Sequence, residues 1–459
     1  MFATAAVLLA ACVKTQTLDV VAPVGADESA VSFDVYTSRT TKAGKPQVIT
    51  TDSLKKGPGF GVFAYYTNNG KYDQYVNPNF MYNQQVKWNS GSQVWTYEPV
   101  KYWPNETGNA AVSDDLDYVT FFAYAPYVNS DPSTGAVKLP ESPLVSIKLD
   151  ETVEQQRNMT GMITNTTMGD PKIKYVVDWN PATSVDLLWG VQPATNAEKP
   201  GLPYLNQLKP KTNDRTNFNM RHALAKLNVT IDAKVDGADK VADSTRIYVR
   251  SITFEGFATK GTLNLNNTDA DTPLWLDYAG IDNLVAEPVT ITDGRKDGKE
   301  GYKDGKATRE KVLGLNPVLV QSAPYGDSLE TVGVTDKTVN VFMPIDTTAA
   351  TISAEDPIFV IPNGDPVKIT IVYDVETKDS KLAGYLSDGV THGSSIENTI
   401  TKELKYASSD EALKIFPGLG HVFHLHLGMT SVKVEASVTG WTDGNVIREV
   451  DLPANTPSN

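Results

Sequence analysis

The sequence predicts an all-β fold of two sandwiches with few short helices, on three observations. Runs of Tyr, Phe, Val and Thr recur between clusters of Gly, Pro, Asn and Asp, at intervals of roughly 8–15 residues, as sandwich strands do. No long stretch carries apolar residues at the 3.6-residue period of an amphipathic helix. The composition, 40% hydrophobic and 21% charged over 459 residues, is that of a globular chain with room for two or three domains and sizeable cores.

The N-terminal stretch comes first. Met1 to Ala11 is apolar or small apart from Thr4, and it closes on Leu9-Ala10-Ala11-Cys12. An apolar run of about 7–15 residues ending in small side chains is a secretory signal. A cysteine directly after Leu-Ala-Ala looks like a bacterial lipobox, in which the thiol of Cys12 is acylated and becomes the new N-terminus. No Lys or Arg precedes Cys12, so the natural start is expected a few residues upstream. Cys12 is also the sole cysteine, which excludes an intramolecular disulfide framework and a four-cysteine zinc site. Nothing after residue 12 approaches the ~18–20 consecutive apolar residues of a spanning helix. The formal net charge of −14 repels phosphate backbones and makes nucleic acid a poor partner. Residues 1–12 are therefore read as signal and lipobox. Residues 13–39 form a polar tether followed by the extended Ala30-Val-Ser-Phe-Asp-Val-Tyr36, which runs into Thr37-Ser-Arg39-Thr40.

The first half is dense in aromatics. Gly59-Phe-Gly-Val-Phe-Ala-Tyr-Tyr66 is apolar on both faces, as a central strand is. Phe80-Met-Tyr-Asn-Gln-Gln-Val-Lys-Trp88 and Val94-Trp-Thr-Tyr97 flank Asn89-Ser-Gly-Ser92, a hairpin loop. Lys101-Tyr-Trp-Pro104 and Tyr118-Val-Thr-Phe-Phe-Ala-Tyr-Ala-Pro-Tyr127 follow. Aromatics at this density fill the space between two sheets; an exposed platform for sugars is the functional alternative. Pro193, Pro200, Pro203 and Pro210 mark an extended connection, because each lacks an amide donor and restricts its predecessor.

Phe218-Asn-Met-Arg-His-Ala-Leu-Ala-Lys-Leu-Asn-Val-Thr-Ile231 ends in clean alternation and either closes the first sandwich or opens the second. The sandwiches are placed at residues 40–217 and 218–441. Strands of the second are expected at 246–254, 261–265, 339–345, 357–361, 367–375, 421–427 and 431–438. In the tail, residues 442–459, Val446, Val450 and Leu452 share one face of an extended pattern that only Arg448 interrupts. No period of about 20–50 residues recurs, which excludes a solenoid or propeller.

Catalytic signatures are missing. No G-x-S-x-G elbow, H-E-x-x-H, phosphate-binding G-x-x-x-x-G-K-[ST] or G-x-G-x-x-G motif occurs, and with Cys12 assigned to lipid no thiol nucleophile remains. The expectation is no enzyme, no catalytic residues, no metal and no cofactor. His424 and His426 lie on one side of a strand, where a shared metal is one reading and a polar face opposite Phe423, Leu425 and Leu427 the preferred one. His222 reads as a structural hydrogen-bonding residue. Asp293-Gly-Arg-Lys-Asp-Gly298 mimics a calcium loop, but Arg295 holds a ligand position and repels the cation.

These residues bring a family into view. The strands around Phe60–Tyr66, Trp95-Thr-Tyr97, Lys101-Tyr-Trp-Pro104 and Phe121-Phe-Ala-Tyr-Ala-Pro-Tyr127 resemble the N-terminal domain of Bacteroidales fimbrillins. Phe218-x-x-x-His222-Ala-Leu-Ala-Lys226-Leu looks like a strand motif of that superfamily, and Phe342-Met-Pro344, Ile369-x-x-x-Tyr373 and the segment ending at Trp441 are similar to its C-terminal domain. The resemblance implies two transthyretin-like β-sandwich domains and a type V, chaperone-independent pilus. It implies an outer-membrane lipoprotein precursor lipidated at Cys12 and cut between Arg39 and Thr40 by a trypsin-like protease. The leader strand, with Phe33 and Val35 filling a groove, is then replaced by a strand of another subunit. Val446, Val450 and Leu452 are the donor-strand residues so implied, and a tail with a strand pattern favours a polymerising subunit. The partners expected are other fimbrial subunits, the membrane before processing, and a host or bacterial surface ligand. The alternative is a monomeric outer-membrane surface lipoprotein that binds glycans through exposed aromatics.

Overall fold

The computed structural model describes residues 30–37, 49–68, 70–104, 117–137, 158–178, 184–193, 201–210, 215–233, 245–267, 275, 289–292, 302–303, 306–307, 339–340, 357–386, 392–405, 411–427, 432–440 and 446–451. Cys12, Arg39, Thr40, Leu452, Phe342-Met-Pro344 and the 293–298 loop lie outside them.

The chain opens with β1 (Phe33–Thr37) and the short helix α1 (Thr51–Lys56), whose N-cap Thr50 forms a capping box with Ser53. Next come β2 (Phe60–Thr67), β3 (Met81–Asn89), β4 (Val94–Thr96) and β5 (Tyr118–Ala125). Then follow β6 (Met159–Met162), β7 (Lys172–Val176), β8 (Leu188–Val191), β9 (Tyr204–Gln207) and β10 (Thr216–His222). In the second half, β11 (Ala225–Ala233), β12 (Thr245–Glu255), β13 (Phe257–Ala258), β14 (Lys260–Asn264) and β15 (Val289–Thr292) precede the small ladder of β16 (Tyr302–Lys303) and β17 (Lys306–Ala307). The remaining strands are β18 (Val339–Asn340), β19 (Ile358–Pro362), β20 (Lys368–Lys378), β21 (Gly393–Glu403), β22 (Leu419–Leu427), β23 (Val432–Gly440) and β24 (Val446–Asp451). The all-β prediction holds.

The first sheet runs β1-β10-β8-β5-β2-β3-β4, with β9 also against β5. Its central strands are buried on both faces, and strand parity explains why. Phe60, Val62 and Ala64 of β2, with Phe121 and Ala123 of β5, enter one aromatic-rich core. Phe63 and Tyr65, with Phe122 and Tyr124, enter the other. That second core continues through Leu227, Phe254, Ile358, Ile369 and Phe423 of the later strands. A sheet of seven strands is ordered β13-β19-β11-β22-β23-β24, with β18 on β11, and a sheet of four is ordered β15-β12-β20-β21. In a fourth sheet, ordered β14-β7-β6, β14 of the second half pairs with β7 of the first, so hydrogen bonds as well as apolar side chains tie the two halves.

The Phe218–Ile231 motif does both of the things its sequence left open. β10 ends at His222 within the first sheet, and β11 starts at Ala225 within the seven-stranded one. The turn between them is pinned by the bond from Ala223 N–H to the Leu187 carbonyl (2.9 Å), by Gly418 N–H on the Leu224 carbonyl (2.8 Å) and by Trp275 Nε1–H on the Ala223 carbonyl (2.9 Å). His222 Nδ1 lies 2.7 Å from Asp186 Oδ2, both side chains buried, which is the structural role read from its sequence.

Several strands had too little apolar pattern to read. β21, Gly-Ser-Ser-Ile-Glu-Asn-Thr-Ile-Thr-Lys-Glu, is exposed along most of its length and forms only because β20 supplies a full antiparallel partner. The Lys101–Pro104 stretch, conversely, makes an isolated bridge through Tyr102 rather than a strand.

The histidine-rich β22 buries a histidine that the sequence reading left unplaced. His421 shares parity with Phe423, Leu425 and Leu427, so it lies inside with them, 1% exposed, with no hydrogen-bond partner on either ring nitrogen among the described residues. His424 and His426 stack on the opposite side, ring centroids 4.2 Å apart. Among the described residues no group of three or more His, Cys, Asp or Glu is placed to hold a metal. Burial pushes the His421 pKa down to about 4. The unfolded imidazole titrates near 6.5 and the folded one lower, so the unfolded state binds the proton more readily and stability falls as pH drops between these values. The expected loss is about 2 kcal/mol at pH 5. Denaturant titrations at pH 7 and pH 5 check it, and His421→Leu is expected to remove that part of the pH dependence.

Candidate strand-acceptor groove

The leader strand β1 sits at one end of the first sheet. Val31, Phe33 and Val35 alternate inward, 2%, 1% and 4% exposed, while Tyr36 on the other side is 42% exposed. β1 pairs in parallel with β10, Phe33 opposite Thr216 and Thr37 opposite Met220. On its far side it meets no full strand among the described residues. Val31 N–H donates to the Lys101 carbonyl (2.9 Å), and the Tyr97 hydroxyl donates to the Val31 carbonyl (2.8 Å). Val35 N–H is taken by the adjacent Asp34 carboxylate (2.8 Å). At the C-terminal end, Thr37 N–H donates to Thr51 Oγ1 and Thr51 N–H to Thr37 Oγ1, both at 2.9 Å. That clasp ties the strand to the first residue of α1. β1 therefore has a strand ladder on one edge and scattered local bonds on the other, which is the arrangement of a plug.

The plug's anchor is Phe33. Its ring lies 5.5 Å from Tyr97, 5.7 Å from Phe121, 6.0 Å from Phe218 and 6.4 Å from Phe60, centroid to centroid. Phe218 stacks on it at an interplanar angle of 24°, whereas Phe60 and Phe121 present edges, both favourable aromatic geometries. Four separate stretches of chain thus converge on one side chain. Gly190 of β8 makes the fit feasible, because a Cβ there would come within 2.9 Å of the Phe218 ring. Outside this box, Trp95 packs on Phe60 (5.2 Å), Trp103 on Phe121 (5.6 Å) and Tyr204 on Phe218 (5.4 Å). The dense aromatics of the first half are thus mainly core. Tyr36, Tyr75, Tyr102, Tyr385 and Phe416 are the large exposed rings among the described residues.

Without β1, the structure has a trench floored by aromatic side chains and bordered by one edge of β10 with unpaired amides. Such an edge is a template for an added strand.

The tail occupies a matching position elsewhere. β24 is the terminal strand of the seven-stranded sheet among the described residues, antiparallel to β23, with Val450 opposite Ala436 and Val446 opposite Thr439. Among the described residues it is bound along one edge only. Of the residues singled out from the sequence, the structure buries Phe33 and Val35 on β1 and puts Val446 and Val450 on the terminal strand of another sheet among the described residues. The four rings around Phe33 were not legible as a site, since nothing in the sequence marks which aromatics of a β protein converge.

Comparison with known proteins gives this arrangement a context. The chain is 25% identical over 427 residues to the fimbrium subunit Fim1C of Phocaeicola vulgatus, spanning 90% of this chain and 89% of that one. Among solved structures, a Bacteroides uniformis protein with a proposed role in cell adhesion matches 91% of this chain and 100% of its own at 14% identity, with a TM-score of 0.36. The fimbrial anchor protein Mfa2 of Porphyromonas gingivalis matches 92% and 99% at 10% identity and a TM-score of 0.27. The fimbrillin-like family profile matches residues 41–300, more than half of the 459 residues, and the chain therefore belongs to the fimbrillin-like family.

Proposed function

We propose that this chain is a structural fimbrial subunit of the cell surface, with no enzymatic role, which joins other fimbrial subunits by strand exchange. In this reading the precursor reaches the outer membrane as a lipoprotein held through Cys12. Cleavage between Arg39 and Thr40 frees the leader, and β1 leaves with it. A strand of another subunit takes the vacated trench, while the β24 segment of this chain supplies the corresponding strand to a neighbour.

The observation that carries the reading is the half-laddered seating of β1. Withdrawing it breaks one parallel ladder and a few local bonds and leaves the rest of the sheet paired. An incoming strand restores the lost ladder, so exchange needs little net change in hydrogen bonding. Because acceptor trench and donor strand are different surfaces, each contact is head-to-tail and open-ended, which yields a filament. Membership of the fimbrillin-like family and the likeness to a fimbrium subunit support the same role.

An Arg39→Ala substitution tests it in cells. Wild-type surface protein is expected to start at Thr40 on N-terminal sequencing and to appear in fibres by electron microscopy. The variant is expected to keep its leader and to be absent from fibres. A wild-type protein that remains a full-length lipoprotein, with no fibres, points instead to the monomeric glycan-binding alternative.

A further inference from the structure

We infer that the strand which fills this trench comes from a different polypeptide, not from a second copy of this chain, and that it carries an aromatic residue at the position of Phe33. The inference rests on the strand-exchange reading and names the partner that reading requires.

The aromatic box is shaped for a ring. Phe60, Tyr97, Phe121 and Phe218 all lie within 6.4 Å of Phe33, centroid to centroid, and all five are buried. Interiors of this kind are close-packed and relax only partly when a side chain is made smaller. An aliphatic residue in place of Phe33 leaves part of the box empty. The sites of Val31 and Val35 on either side are buried too, so the occupant needs apolar residues two positions before and after its aromatic.

The tail of this chain does not meet that pattern. Val446, Arg448, Val450 and Leu452 alternate along one face of an extended chain, and none is aromatic. Setting Val446 or Val450 into the box, in either strand direction, puts Arg448 at one of the two flanking sites. There its guanidinium is buried in the apolar cluster that holds Val31 and Val35, a costly placement for a charge. Setting Leu452 into the box moves Arg448 away from those sites but brings Pro453 beside it. The residues flanking Phe33 on β1 are the ones facing β10, as the bond from Thr216 N–H to the Ser32 carbonyl shows. A proline there has no N–H to offer the ladder. The opposite face, Ile447, Glu449 and Asp451, is worse. None of these registers fills the box with an aromatic while keeping Arg448 and Pro453 out of the flanking positions, and the tail is the donor for some other subunit's trench.

Peptide exchange on the full chain tests this. A site for a sequence-specific protease is engineered into residues 38–48 and the folded protein is cut there, leaving the leader fragment seated without a covalent link. Fluorescent peptides then compete for the trench: residues 29–38, the same peptide with Phe33→Ala, residues 444–456, and that tail peptide with Arg448→Val and Val450→Phe. The leader peptide is expected to displace the seated fragment. Phe33→Ala and the native tail peptide are each expected to bind at least 100-fold more weakly, and the doubly substituted tail peptide to recover at least tenfold. A native tail peptide that binds within tenfold of the leader peptide overturns the inference and leaves strand exchange standing. If the leader peptide itself never replaces the seated fragment, the trench accepts no strand, and the strand-exchange reading falls together with the inference.

Discussion

Replacing Phe33 with Ala in the intact chain is expected to destabilise the first sheet by about 3–5 kcal/mol, as truncation of a buried Phe does when its surroundings cannot collapse. The four neighbouring rings belong to different stretches of chain, three of them to strands of the same sheet, so they have little freedom to close the space. Tyr36, three residues along and 42% exposed, is the internal control. Tyr36→Ala is expected to cost only about 0.5 kcal/mol, because surface truncations away from special features do little. Denaturant unfolding followed through near-ultraviolet circular dichroism, which reports aromatic packing, separates the two variants. Equal effects would mean that β1 lies on the sheet without holding it, and the trench would lose its claim to be a binding site.

Truncating the chain before Val446 is expected to have the opposite profile, with a small effect on folding and complete loss of incorporation into fibres. β24 has β23 as its one strand neighbour among the described residues, and β23 keeps its ladder to β22 when β24 is removed. The thermal midpoint of the truncated chain is therefore expected to move less than that of Phe33→Ala. In cells, the truncated chain is expected in the membrane fraction and not in the sheared fibre fraction. Its appearance in sheared fibres at the wild-type level would show that β24 donates to no neighbour. Val450→Asp provides a milder second variant with the same expected direction, should the truncation be poorly exported.

The two variants ask different questions of two edge strands. β1 brings its anchor into a closed aromatic core, so the trench it leaves demands a replacement. β24 lies at the margin of its sheet among the described residues, with one strand neighbour, and on the strand-exchange reading it is the strand released. An exchange system needs both properties, one site that is costly to leave empty and one strand that is easily released.

Legibility in the sequence followed patterning. Phe60–Thr67 and Tyr118–Ala125 were readable because unbroken aromatic and β-branched runs have few stable alternatives to a doubly covered strand. The hairpin at Asn89–Ser92 was readable from its turn residues between two such runs. β6, β7, β8 and β9 are short, and β21 is exposed along most of its length, so their assignment as strands depends on the partners they pair with. The position of His421 inside the core was available from parity alone, since it shares its face with Phe423 and Leu425.

Local chemistry by itself determined that this chain is all-β and that Val31, Phe33 and Val35 form an apolar face, and it gave the expectation of another at Val446, Val450 and Leu452, where the structure has a register shift between Arg448 and Val446. Those are properties of residue type and a two-residue period, which need no partner to be read. Tertiary structure alone decided what each face meets. β1 finds β10, from nearly two hundred residues away, on one side and mere fragments on the other, and four distant rings close on Phe33. The physical reason is that an edge strand is defined by the absence of a second neighbour, and a binding box by the convergence of separate segments, neither of which is written in the residues that occupy them.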